Sequence, residues 1–521
     1  MIKAEIKSSF HLKDIQYLML SEVERTAHLS SDTRLLQAGD VFLAYPVGSG
    51  KGRSDNRIHI AKALSLGVSL VLYDSENWLE NENIEAREQL GDARCYAVPN
   101  LAEMASEIAD WWYGNPSSDL NVIGVTGTNG KTTVTHWLTQ SFAKTKKSAV
   151  FGTLGYGELG HLKVTGFTTP DASRVQRVLS ELKSESIKLV AMEVSSHALE
   201  QERVAHVHFK TAIFTNLSQD HLDYHGNMEE YARAKFELFR FVSLENIIIN
   251  IDDVIGSKWI EELVKTSKAK IWAYGSSSSL AGLSCANQVQ TVLIDSYEVT
   301  KQGVKVDCSI QGVTYPLTLD VIGKFNVENS LAVLTALIAN DVPVDQALLQ
   351  LKQLKPVDGR LEMLNINDAQ YPLMVVDFAH TPDALEKVLL ALKPMANARD
   401  GQLVCVFGCG GDRDTLKRPI MGRIASEIAD RVILTSDNPR SEDPQEIIQQ
   451  ILQGIEAYKQ SKVTTVVDRA FAILSSVKQS GPNDVVLVAG KGHEKVQEIA
   501  GNRFVFSDQD HIRLAIRGVV L

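Results

Sequence analysis

At 521 residues, with 44% hydrophobic and 22% charged content, the chain is neither disordered nor fibrous, and it is too long for one core: about three domains are expected. A formal net charge of −11 argues against nucleic acid as the main partner, while leaving room for a locally basic site on an acidic protein. Five cysteines (Cys95, Cys285, Cys308, Cys405, Cys409), few, odd in number and scattered, argue against a disulfide framework and for a reducing compartment; with no second Cys/His pair to complete a zinc site, Cys405 and Cys409 read as buried structural thiols.

The opening MIKAEIKSSFHLKD lacks the apolar core of a signal peptide, and no window approaches ~18 uninterrupted apolar residues, so no membrane insertion is expected. Residues 1–117 read as a small α/β unit, with strands at DVFLAY (40–45), VSLVLYD (68–74) and CYAVPN (95–100) and a helix at AKALSLG (61–67). WWYGNPSSD (111–119) marks a boundary: a helix end, then Gly, Asn-Pro and serines.

Residues 118–356 form the next unit. VIGVTG (122–127), LVAMEVS (189–195), AIFTNL (212–217) and NIIINID (246–252) are near-continuous apolar runs, as strands buried on both faces should be. Helical patterns between them predict a doubly wound parallel sheet. Three short alternating strands at about 281–320 predict an antiparallel insertion, followed by a helix at 326–339. LKPVDGR (354–360) is a linker, and 357–521 is a third, Rossmann-like unit with strands at 374–380, 403–411, 431–439, 463–468 and 485–492.

The richest stretch is VIGVTGTNGKTTV (122–134). A β-branched run meets a glycine-rich turn, then Lys131 and Thr132, then a helical pattern. Backbone N–H groups in such a turn and the helix N-terminus favour an anion. Lys131 adds a point charge for outer phosphates, and Thr132 a hydroxyl for Mg²⁺. Strict Walker spacing would put glycine at 125, where valine stands, so the loop is a variant. Gly127, Thr128, Asn129, Gly130 and Thr133 complete it.

Polar clusters follow the neighbouring strands: Glu193, Ser195, Ser196 and His197, then Asn216, Asp220, His221, Asp223 and His225. A strand-terminal carboxylate near a phosphate loop suits Mg²⁺, a hard cation. His225 reads as a solvated loop residue. Lys235, in YARAKFELF (231–239), reads by composition as a snorkelling surface lysine. In the third unit, Arg413, Arg418, Asp437, Arg440, Lys491 and Glu494 fall in loops after strands and are expected to converge. Such a mixture of arginines and carboxylates suits a zwitterionic ligand.

TGTNGKTT, TTPDAS (168–173), MEVSSHAL, FTNLSQDHLDYHG, DFAHTPDAL (377–385), FGCGGDRD, KRPIMG, DNPR and GKGHE stand in the order of the Mur ligases, and from about residue 30 onward the chain resembles that family. The resemblance implies a cytoplasmic, monomeric α/β enzyme of three domains. The N-terminal one (1–117) would hold the UDP end of the substrate, and a central P-loop-type doubly wound ATPase (118–356) the nucleotide. A Rossmann-like C-terminal domain (357–521) would bring the amino acid and close on the others. The implied reaction is ATP-dependent ligation of meso-diaminopimelate to the D-glutamate γ-carboxylate of UDP-N-acetylmuramoyl-L-Ala-D-Glu, through an acyl phosphate, in peptidoglycan synthesis.

Position by position, the resemblance assigns Lys131 and Thr132 to ATP phosphates and Mg²⁺, and Glu193 and His221 to metal. It makes Lys235 a carbamylated lysine and metal ligand, reversing the surface reading. Thr33, Thr168, Thr169, Ser195, Gln201 and Arg203 would hold the muramoyl-dipeptide, and Asn326, Arg360, Asp377 and His380 the nucleotide. Arg418, Asp437, Asn438, Pro439, Arg440, Gly490 and Glu494 would hold diaminopimelate, with Arg440 and Arg418 on its distal carboxylate. Two departures stand out: Phe378 where tyrosine is usual, and PVGSGKGRSDNR (46–57) in place of the usual uridine loop. Alternatives are the L-lysine-adding form, which lacks the arginine of DNPR, and a paralogous folylpolyglutamate-type ligase, against which DNPR and GKGHE argue. A non-catalytic binding protein is opposed by the intact Lys131, Glu193, His221 and Lys235, and a simple P-loop ATPase would leave the C-terminal loops unexplained.

Overall fold

The computed structural model describes residues 11–48, 54–76, 89–364 and 370–517. The first ten residues and positions 49–53 of the 46–57 loop lie outside them. Two compact units are present: Met1–Val292 with Leu331–Ala347, and Leu293–Ser330 with Leu348–Leu521.

Among the described residues, the first unit carries two main sheets and the short antiparallel pair Pro46–Val47 with Ser54–Asp55. In the smaller, Leu29–Ser30, Val41–Ala44, Leu70–Asp74 and Cys95–Val98 lie side by side in that order, all parallel. The helix Leu101–Trp112 buries Leu101, Ala105, Ile108, Ala109 and Trp112, one stripe at helical spacing, together with Val41, Leu43, Leu70 and Leu72. Phe42, Ala44 and Val71 face the other way, onto Ile60, Ala63 and Leu64 of the helix Ile60–Ser65. Alternate residues thus serve opposite faces, which is why these strands are apolar throughout.

In the larger sheet the order runs Lys270–Ser276, Asn246–Asn250, Phe209–Phe214, Asn121–Thr126, Leu189–Glu193, Ser148–Gly152, Gly155–Gly157. All these pairings are parallel except the last. Along the chain, the strands after Asn121–Thr126 first build on one side of it, then cross to the other at Phe209–Phe214. That reversal is the switch point at which open α/β sheets bind ligands. Register places Glu193 opposite Val125 and Phe214 opposite Thr126, so both polar strand ends flank the phosphate loop.

In the second unit the order is Glu362–Leu364, Leu373–Asp377, Val485–Ala489, Leu403–Phe407, Arg431–Leu434, Val463–Thr465, with only the first pair antiparallel. Val375, Cys405, Phe407 and Leu487 enter one core, and Met374, Val404, Val406 and Val486 the other. The expected antiparallel insertion includes Val304–Ile310 and Val313–Leu319, joined at Gln311-Gly312 with positive φ at both, as a two-residue hairpin turn requires. All five cysteines are free, with Cys405 and Cys409 buried. Among the described residues, no helix is long and apolar enough to cross a membrane.

Candidate active site

The strand Asn121–Thr126 feeds a tight loop and then the helix Lys131–Phe142. Gly127 has φ +148, and a Cβ there would run into Thr215 Oγ1, so only glycine fits. Neighbouring strand ends fix the loop: Thr128 N–H donates to Asn216 O at 2.8 Å, Asn129 N–H to Asn216 Oδ1 at 3.0 Å, and Thr215 Oγ1 to Asn129 O at 2.6 Å. Lys131 folds back over the loop, its Nζ 2.7 Å from Gly127 O and 2.9 Å from Thr128 O. The helix N-terminus, the loop amides and this ammonium supply positive potential at one place.

Lys235 lies against the same loop. It is 1% exposed, with Nζ 3.0 Å from Gly127 O and 4.4 Å above the Tyr231 ring. The surface-lysine reading is therefore wrong: the helix Met228–Phe236 turns this side chain inward. Burial, reinforced by the Lys131 charge, holds its amine well below the usual lysine range. His225 is also corrected. Its side chain is fully buried, with Nε2 2.9 Å from Ser196 Oγ and Nδ1 2.9 Å from Glu200 Oε2. His197 packs between the rings of His221, Tyr224 and His225.

Thr132 Oγ1 donates to Glu193 Oε2 at 3.2 Å, bringing two hard oxygens to the foot of the phosphate loop. His221, by contrast, is half-exposed beside Asp220. Among the described residues, no cluster of three or more His, Cys, Asp or Glu side chains has metal-binding geometry. Residues expected for the muramoyl-dipeptide form a connected group. Thr169 Oγ1 donates to Glu193 O at 2.9 Å and accepts from Ser195 N–H at 3.2 Å. Arg203 reaches Thr169 O at 2.8 Å and Gln201 Oε1 at 2.9 Å, and Thr168 adjoins Thr153. Thr33 is buried in the N-terminal module.

In the second unit, Asp377 ends its strand buried and accepts from Leu361 N–H and Ala379 N–H at 2.7 and 2.8 Å. Burial pushes its carboxyl up, opposed by those amides and Arg360. Arg360 lies over the Phe378 ring, which also packs on His380. Asn326 is buried, its amide on Ile322 O. Gly490 N–H donates to Asp377 O at 3.1 Å, stitching two strand ends together.

Beside them, Lys491 Nζ donates to Asn438 Oδ1 at 2.9 Å and Glu494 Oε2 at 2.8 Å, and Asn438 Nδ2 to the same Glu494 oxygen at 2.9 Å. Burial would raise Glu494, yet Lys491 and Asn438 bring it below the usual range. Asp437 is pushed up by burial, against Arg469 and Lys491. Arg440, at φ +51, donates to Gly411 O at 2.6 Å and keeps a side chain 24% exposed, while Gly411 N–H donates to Asn438 O beside Pro439. Arg418 does not present an open guanidinium: it is wholly buried, with its Nη atoms on Glu442, Gln450 and Gly410 O. Arg413 stays exposed.

Residues 125–337 match the Mur ligase middle domain, and 359–492 the Mur ligase glutamate ligase domain. A UDP-N-acetylmuramoyl-L-alanyl-D-glutamate–2,6-diaminopimelate ligase from Ralstonia nicotianae is 46% identical over 505 residues, covering 96% of this chain and 95% of that one. The chain belongs to the Mur ligase family. A solved structure of a ligase with that same description shares 34% identity, covers 94% of both chains and has a TM-score of 0.67. A Mycobacterium tuberculosis folylpolyglutamate synthase, at 16% identity, covering 74% of this chain and 91% of that one with a TM-score of 0.54, is similar in fold alone.

Within this Mur ligase, two positioning elements escaped the sequence reading. Thr153 holds Glu193 through both its N–H and its hydroxyl. The wholly buried pair Arg469–Asp508 ties Ser436 O to Ala489 O, beneath the strand ends that carry Asp437 and Gly490. The available signal for Thr153 was its place after an apolar strand (SAVFGT, 148–153); an arginine and an aspartate 39 residues apart gave none.

Proposed function

We propose that this Mur ligase joins meso-diaminopimelate to the D-glutamate γ-carboxylate of UDP-N-acetylmuramoyl-L-alanyl-D-glutamate at the expense of ATP, in peptidoglycan precursor synthesis. The observation that carries the reading is Lys235, a buried amine with a depressed pKa, on the same carbonyl as the phosphate-loop lysine. The similarity to relatives described by that reaction supports the choice of substrates. ATP and a UDP-linked sugar are cytoplasmic compounds, which suits five free cysteines.

A carboxylate is a poor acyl donor. Its oxygen attacks the γ-phosphorus, an O–P bond forms, and ADP leaves. The deprotonated amine of the amino acid then attacks the acyl carbon, and phosphate departs from the tetrahedral intermediate. Transfer between anions depends on charge neutralisation. Lys131 turns from Gly127 O and Thr128 O to the phosphates, joined by the N-terminus of the helix Lys131–Phe142. Thr169, Ser195, Gln201 and Arg203, already bonded together, orient the dipeptide.

Thr132 and Glu193 fit Mg²⁺, which takes one or two carboxylates and otherwise relies on water and phosphate oxygens. Bound there, Mg²⁺ would offset phosphoryl charge. For a second ion, His221 would offer a ring nitrogen and Lys235, as a carbamate, an anionic oxygen. Its neutral nitrogen adds to dissolved carbon dioxide, an N–C bond forms, and one proton passes to solvent. Asp437, Asn438, Pro439, Arg440, Gly490 and Glu494 receive the amino acid, with Arg440 toward the distal carboxylate and Arg418 bracing the loop through Glu442. Asn326, Arg360, Asp377 and His380 serve the nucleotide.

Phosphate release from ATP tests this reading. Release should require the UDP-muramoyl-dipeptide and diaminopimelate together. Equal release without the dipeptide, or with glutamate and a folate in its place, would refute it.

A further inference from the structure

Glu193 ends the strand Leu189–Glu193, and the adjacent strand Ser148–Gly152 ends beside it. The next residue, Thr153, sends its backbone N–H to Glu193 Oε1 at 3.0 Å and its hydroxyl to Oε2, also at 3.0 Å. The same hydroxyl lies 3.0 Å from Thr168 Oγ1. A threonine hydroxyl has one proton, and here the carboxylate accepts it. Thr168 must therefore donate its own proton to Thr153, giving a directed chain from Thr168 through Thr153 to Glu193. Thr132 completes the set from the phosphate-loop side, donating to the same Oε2. Gly152 makes the approach possible, because a Cβ there would collide with Glu193 Oε1.

We propose that Thr153 is a positioning residue that sets the Glu193 carboxylate and the Thr168 hydroxyl in one register, coupling the phosphate-loop side of the site to the muramoyl-dipeptide side. The identity of those two ligands rests on the function proposed above. Glu193 is 1% exposed, so both of its oxygens take their donors from protein, and a rotated carboxylate would abandon bonds with Thr132 and Thr153 together. Thr168 in turn has its hydroxyl direction set by Thr153. Coupling of this kind is reciprocal: what orders Thr168 also orders Glu193.

Thr153→Val keeps the shape and the backbone N–H while removing the hydroxyl, and Thr153→Ser keeps the hydroxyl. Calorimetric binding of UDP-muramoyl-dipeptide in EDTA, without nucleotide, reads the effect with no metal present. Thr153→Val should weaken that binding about tenfold, the worth of one hydrogen bond to this network. It should raise the KM for ATP in step and leave the KM for diaminopimelate unchanged, and Thr153→Ser should bind like the parent. If Thr153→Val does not fold, Thr153→Ala carries the same expectation. Parent-like binding by the hydroxyl-free variant, equal weakening in Thr153→Ser, or a matching rise in the KM for diaminopimelate would overturn the role of Thr153. A parent enzyme that does not bind the dipeptide would instead overturn the function on which this role rests.

Discussion

Lys131 and Lys235 both direct Nζ at the carbonyl oxygen of Gly127, from 2.7 and 3.0 Å. Two ammonium groups that share one acceptor in a buried place repel each other, and burial holds the more deeply buried one well below the usual lysine range. That amine is Lys235, 1% exposed and facing the same carbonyl as Lys131.

Lys131→Ala removes the charge but none of the core. ATP-dependent ligation should fall by several orders of magnitude, while the thermal unfolding midpoint stays near that of the parent. Assaying product formation and unfolding on the same sample checks both halves.

Lys235→Ala should lose nearly all activity and recover part of it in millimolar formate or acetate, which can stand where a carbamate would. An alanine variant as active as the parent would return Lys235 to a structural role.

Buried His225 should make the fold acid-sensitive. Burial, then the Lys235 charge, brings its pKa from 6.5 to about 4. Between those values the unfolded chain holds the extra proton, so stability is intact above pH 6.5 and falls as pH drops toward 4. His225→Gln should flatten that part of the curve, read as unfolding midpoints from pH 7 to pH 4 for both proteins.

Asp508→Ala leaves Arg469 charged and unpaired in a site where both side chains are 0% exposed. A loss of about 3–5 kcal/mol of stability in the second unit is expected, whereas Arg469→Met with Asp508→Leu should cost far less. Denaturant unfolding of the three proteins measures the difference.

Amino-acid choice should rest on Arg440 more than Arg418, because Arg418 already has Glu442 and Gln450 as partners. One lost charge-assisted bond of about 1.5–3 kcal/mol corresponds to roughly ten- to a hundredfold in selectivity. Arg440→Ala should therefore reduce the preference for diaminopimelate over L-lysine by that factor, measured as the ratio of kcat/KM values.

What the sequence made legible was backbone-scale: strands buried on both faces have continuous apolar runs, and the glycines of 124–130 announce a phosphate loop. Side-chain destinations were less accessible. Lys235 sits among aromatic neighbours that suit either a surface or a buried lysine, and its partner Gly127 is 108 residues away. His225 looks like a loop histidine until Ser196, 29 residues earlier, is seen against it. Thr153 carries no charge and no motif of its own; only the pairing of Ser148–Gly152 with Leu189–Glu193 reveals it. Arg418, expected in a loop after a strand, stands instead in the first turn of the helix Lys417–Ile428, and its burial against Glu442 depends on how that helix meets the loop before Pro444.

The most direct test is the mass of the product formed from UDP-N-acetylmuramoyl-L-alanyl-D-glutamate, ATP and Mg²⁺ with diaminopimelate and L-lysine present at equal concentration. A single product heavier by one diaminopimelate residue, absent without ATP, is the predicted result. A lysine-containing product, or no ATP-dependent product at all, would contradict the assignment.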